Sequence, residues 1–167
     1  MNNKVVLGIG AVLILIGILR PDLSNLLPNN NKTPNVVVPV AEFVEPTNPE
    51  LLSKADEVAT ILKNGGEDRK VDGMKLAALY ADIAKLISLD AENTVIKTTS
   101  EIREVNSVAG SLVASELKGK YPNLALTARA LIVSAIGDDI ATLNEENRQK
   151  AAEAFEALAW GCYMGAK

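Results

Sequence analysis

The chain contains no histidine. That absence removes the commonest general base, the usual partner of a serine or cysteine nucleophile, and the usual transition-metal ligand. Cys162 is the single cysteine, so an internal disulfide, a thiolate metal cluster and a lipidated cysteine near the start are all excluded. Set among Trp160, Tyr163 and alanines, it reads as a small buried hydrophobe rather than a reactive thiol. The glycines show no phosphate-cradling pattern: Gly8-x-Gly10 lies inside an apolar run, and Gly65-Gly66 lacks the following Lys-Ser/Thr. No cofactor is expected. Residues 50–167 carry 14 Lys and Arg against 18 Asp and Glu, and the basic residues do not cluster, so nucleic acid is not an expected partner. Lys118, Lys120 and Arg129 form a small exception, read as solvated charge at helix ends.

The acidic residues offer no clear metal site either. With Gly73 as the sixth residue of a calcium loop, Asp68 and Asp72 occupy its first and fifth positions. Lys70 and Leu79 then fall at the third and twelfth, so the bidentate carboxylate is missing. Asp138, Asp139, Glu145 and Glu146 suit a helix start, where carboxylates offset the dipole, better than a cation cage. Carboxylates distant in sequence can still face each other as a hydrolytic pair. A membrane-tethered hydrolase using carboxylates alone therefore stays open as an alternative.

What the chain does have is one long apolar run, VVLGIGAVLILIGIL, from Val5 to Leu19. Its side chains Val5, Leu7, Ile9, Val12, Leu13, Ile14, Leu15, Ile16, Ile18 and Leu19 point all round a helix of about 22 Å. Snorkelling of Lys4 and Arg20 extends it toward the roughly 30 Å hydrocarbon core of a bilayer. The sequence after the run, Arg20-Pro21-Asp22-Leu23, offers no small-residue pair for signal cleavage. Residues 1–20 are therefore read as a single-pass membrane anchor, with the lipid bilayer as partner. The alternative is a soluble subunit whose N-terminal helix is buried in an oligomer. Positive charge on the two flanks is nearly balanced, and a short uncleaved N-terminus leans the bulk of the chain toward the extracytoplasmic side.

Residues 21–49 change character. Six of the seven prolines precede residue 50. Proline cannot donate to a ladder and biases its predecessor to extended backbone, so this reads as an interfacial turn followed by an extended arm. Within the arm, Val36, Val37, Val38, Val40, Phe43 and Val44 are more apolar than a solvated spacer requires. They are expected to dock on a partner, with another subunit preferred over the chain's own domain.

Residues 50–167 carry helical periodicity and helix punctuation throughout. Asn48 with Pro49 opens a first helix, which stops at Asn64-Gly65-Gly66. A second is predicted over about Glu67–Leu89, with Met74, Leu76, Leu79, Tyr80, Ile83 and Ile87 in its stripe. Thr98 to Glu101 forms a capping box for a third, ended by Gly119. A fourth starts at Pro122 and ends at Gly137. A fifth covers about Glu145–Tyr163 and buries Ala151, Phe155, Leu158 and Ala159. The predicted fold class is all-α, a compact bundle of about five helices behind the anchor and arm. The function expected from this layout is a non-enzymatic, membrane-anchored structural or assembly protein that docks onto other subunits. A virion or host-entry component is one variant of it, and homo-oligomerisation is open.

Overall fold

The computed structural model describes residues 43–88, 96–117, 119–137 and 142–167. The expectations for the Val5–Leu19 anchor and for Val36, Val37, Val38 and Val40 lie outside the described residues. Phe43–Lys167 forms one compact unit. Among the described residues it is all-helical, with five helices and no strand: α1 Pro49–Lys63, α2 Arg69–Ser88, α3 Thr99–Glu116, α4 Pro122–Ile136 and α5 Glu145–Ala166. No described helix is long and apolar enough to cross a membrane.

The helix starts follow their capping chemistry. The Asn48 side chain accepts from the Glu50 amide at 2.9 Å, and Pro49 takes the first position, where an N–H would lack an intrahelical partner anyway. At α3 the capping box is complete. The Glu101 amide donates to Thr98 Oγ1 at 3.2 Å, and the Thr98 amide donates to the Glu101 carboxylate at 2.9 Å. Asn144 caps α5 by accepting from the Asn147 amide at 2.8 Å.

Helix α5 is the centre of the bundle, with α1, α2 and α4 packed around it. From Ala151 onward it is buried on nearly every side, including Ala154, Phe155, Leu158 and Cys162. Its residues are small enough to allow this. A Cβ on Gly161 would stand 2.5 Å from the Ala55 carbonyl oxygen of α1, and one on Gly165 would stand 2.6 Å from Leu62 Cβ. On the other flank, a Cβ on Gly73 of α2 would meet the Cys162 carbonyl oxygen and Ala166 Cβ, each at 2.9 Å. Three missing side chains thus let α1 and α2 close on α5, where more atom pairs reach dispersion range.

Two sequence-based expectations shift for the same reason. Helix α5 continues past Tyr163 to Ala166, because Gly165 and Ala166 are themselves packing positions. Met74 is 42% exposed. The inner stripe of α2 runs through Gly73, Leu76, Ala77, Tyr80, Ile83, Ala84 and Ile87, and position 74 lies about 100° round from Gly73.

Helix α3 packs chiefly on α4, against Ile102, Val105, Ala109 and Val113 from its own inner face. An antiparallel bridge pairs Thr98 with Thr142, and the Leu143 amide donates to the Lys97 carbonyl at 2.8 Å. Arg103 Nη2 donates to the Gly137 carbonyl at 2.6 Å, tying α3 to the residue that ends α4.

Candidate functional site

Polar side chains gather at two points inside the fold. At the first, Asp72 in the opening turn of α2 is 6% exposed. Its Oδ2 accepts from the Tyr121 hydroxyl at 3.1 Å and lies 3.5 Å from Lys120 Nζ, which also reaches Asp68 at 2.5 Å. The Tyr121 ring lies where a side chain on residue 65 would go, since a Cβ there would be 2.0 Å from its Cε1. Burial, and then Asp72 beside it, push the Tyr121 hydroxyl up to about 12. The hydrogen bond from Lys120 holds the Asp68 carboxyl below its ordinary value, and Asp68 in turn raises Lys120. Chemically this is a latch that pins the α1–α2 turn to the start of α4. Lys120 is therefore engaged with two carboxylates rather than standing as a solvated helix-end charge.

At the second point Arg148, 9% exposed, crosses from α5 to the end of α2. Its guanidinium donates to the Ile87 carbonyl at 3.0 Å and to the Ile96 carbonyl at 3.3 Å. A cation at a helix C-terminus meets both the unsatisfied carbonyls and the dipole. Neither Tyr121 nor Arg148 stands out in the sequence. A tyrosine before Pro122 and an arginine four residues into a helix carry no spacing that names their distant partners.

The remaining polar candidates have structural surroundings. Cys162 is fully buried, and burial raises its thiol well above the ordinary range. The Tyr80 hydroxyl, also buried, has no hydrogen-bond partner among the described residues, and desolvation raises it strongly. Glu145 and Glu146 fall in the first turn of α5, as a dipole-offsetting role requires, and Glu146 pairs with Lys150 at 2.6 Å. Asp138 and Asp139 lie outside the described residues. Among the described residues no three His, Cys, Asp or Glu side chains are grouped to hold a metal ion.

Of the arm residues, Phe43 and Val44 are described. The Phe43 ring lies 4.9 Å from that of Tyr163 on α5, and the Trp160 ring lies 5.7 Å from the same tyrosine. Lys167 Nζ sits 4.3 Å over the same tyrosine ring. At Phe43, then, the arm meets its own domain, whereas the neighbouring Val44 is 68% exposed.

Among the described residues an open groove of about 630 Å³ lies between α1 and α4. Asp56, Glu57 and Ile61 form its α1 wall, and Asn123, Leu126 and Thr127 form its α4 wall. Its acids stand on one wall only, so it does not hold two facing carboxylates. Leu126 is 66% exposed. Comparison with protein-family models, curated proteins and solved structures found no match for the chain.

Proposed function

We propose that the protein is a membrane-anchored, non-enzymatic assembly module. The anchor is the Val5–Leu19 run, the arm is a proline-rich tether, and the helical domain presents docking surface to other subunits. The observation that carries this reading is the pairing of that uninterrupted apolar run with a domain that completes its own core. Within the domain Phe155, Leu158 and Tyr80 are fully buried on helices that pack on one another. The run in turn needs an apolar environment of its own, and a bilayer supplies one.

Two further features support a docking role. The buried polar groups Asp72, Tyr121 and Arg148 are committed to holding helices together. The domain meanwhile leaves Leu126, Val71 and Val44 in water, at 66%, 60% and 68% exposure. By their sequence Val36, Val37, Val38 and Val40 of the arm add apolar side chains for a partner to take up, and at the end of the arm the Phe43 ring stacks on Tyr163 of α5.

Detergent-free fractionation of cells expressing the full chain, followed by protease protection, tests the proposal. The expected result is a chain that sediments with membranes and resists carbonate extraction. Protection of residues 50–167 inside sealed vesicles or their digestion outside then fixes the sidedness. A chain found wholly in the soluble fraction overturns the anchor and favours a run buried between subunits.

A further inference from the structure

The groove between α1 and α4 has an unusual neighbour. Helix α4 carries more apolar surface than the bundle covers: Leu126 and Ala130 are exposed and Val133 is half-buried, at i, i+4 and i+7 along one outer ridge. Asn123 and Thr127 flank this ridge on the groove side. Arg129, exposed and about 60° round the helix from Leu126, flanks it on the side away from α1. Crossing the surface from α1 to α4, one therefore meets acids (Asp56, Glu57), an apolar residue of the groove wall (Ile61), an apolar knob (Leu126) and a cation (Arg129). Glu57 is paired with Lys54 at 2.8 Å, which leaves Asp56 as the rim charge without a salt bridge among the described residues.

That order is self-complementary. A two-fold axis lying in the plane of the contact, along the groove between Ile61 and Leu126, reverses the sequence of features from one copy to the other, as an isologous contact requires. It lays one copy's Arg129 over the other copy's Asp56, and each Leu126 over the other copy's groove. We infer that the α1–α4 face is a homodimer interface: a second copy of this chain is the occupant of the groove, with Leu126 as its central anchor and Asp56–Arg129 as its paired rim charges. The inference rests on the docking role argued above and names the partner for it. It does not depend on the membrane anchor.

Sedimentation equilibrium of the full chain in density-matched non-ionic detergent tests it. The wild type is expected to associate reversibly to a dimer. Leu126→Asp, at an exposed position, should raise the dimer dissociation constant about tenfold or more while leaving the circular dichroism melt unchanged. Arg129→Glu and Asp56→Arg should each weaken the dimer by about threefold to tenfold, and the double variant should restore it, because the swapped charges again face each other across the axis. A monomeric wild type overturns the inference. So does a dimer indifferent to Leu126→Asp, which would move association elsewhere, for example to Val5–Leu19, and leave the anchor standing. A double variant no tighter than the single ones overturns the two-fold arrangement. A monomeric chain whose groove instead takes a basic amphipathic helical peptide assigns the surface to a different partner.

Discussion

Helix α5 and helix α3 are held in the same bundle by opposite means. Around α5 the contacts come from what is missing: Gly161, Gly165 and Gly73 have no Cβ, so α1 and α2 rest against its backbone. Around α3 they come from an ordinary apolar face, Ile102, Val105, Ala109 and Val113, and from what is added at its N-terminal end. The additions are the Thr98–Glu101 capping box, the hydrogen bond from Arg103 to Gly137, and the bridge between Thr98 and Thr142. At Gly110, in the middle of α3, a Cβ would meet only Ala125 Cβ at 3.4 Å, an ordinary contact. Close approach makes a helix intolerant of added volume along its length. N-terminal fixation makes it sensitive at its first turn and leaves room for a methyl at Gly110.

The strongest test of that contrast removes volume from the centre. Phe155 is fully buried on α5 with its ring 6.2 Å from Tyr80, and Phe155→Ala should cost about 3–5 kcal/mol in urea unfolding. Glycine-to-alanine exchange at two sites sharpens it further. Gly161→Ala should destabilise by about 1–3 kcal/mol despite alanine's better helix propensity, because the new methyl meets backbone of α1 that cannot rotate away. A neutral or stabilising Gly161→Ala would mean that α1 and α5 are not seated as closely as described.

Between these regions stands the latch at Tyr121. Tyr121→Phe leaves buried Asp72 with Lys120 alone and should cost about 1–3 kcal/mol at neutral pH. The linkage has a sign. The hydroxyl's value rises from about 10 to about 12 on folding, so folding favours its protonated form. That contribution is complete below pH 10 and is lost as pH rises toward 12. Stability measured across this window should fall more steeply in the wild type than in Tyr121→Phe, and equal slopes would contradict the assignment.

At α3, Thr98→Ala should cost about 1 kcal/mol through loss of the cap. The smallest effect carries the opposite sign. Gly110→Ala should stabilise by about 0.5–1 kcal/mol, since it removes glycine's unfolded-state freedom and adds only an ordinary contact. If both glycine exchanges move the melting temperature the same way, the two regions do not differ as argued.

Much of the domain could be read from the chain alone, and the reason is local. Asn48-Pro49, Thr98 to Glu101, and Pro122 with Gly137 each satisfy backbone groups within a few residues, so helix starts and stops are written beside the helices they bound. The identity of the central helix was harder to see. Apart from Phe155, Leu158 and a few neighbours, α5 is a run of alanine and glycine with a charged first turn. Hydropathy ranks such a segment below a leucine-rich one, although smallness is what admits it to the centre. The latch and the Arg148 bonds join residues 48 to 61 positions apart, a separation that no local pattern encodes. The groove was not visible either, because Leu126 continues the apolar character of α4 and only packing tells which leucines remain outside.

The aromatic cluster where the arm joins α5 makes the junction optically addressable. Trp160 is the chain's only tryptophan, and it lies within energy-transfer range of Tyr163, on which Phe43 rests. Its emission therefore comes from one known place, the seat of the arm, and from nowhere else in the protein. Release of Phe43 from Tyr163 by a partner that takes up the arm would change the polarity around that indole before any helix melts. Native fluorescence would then follow arm engagement without an added label.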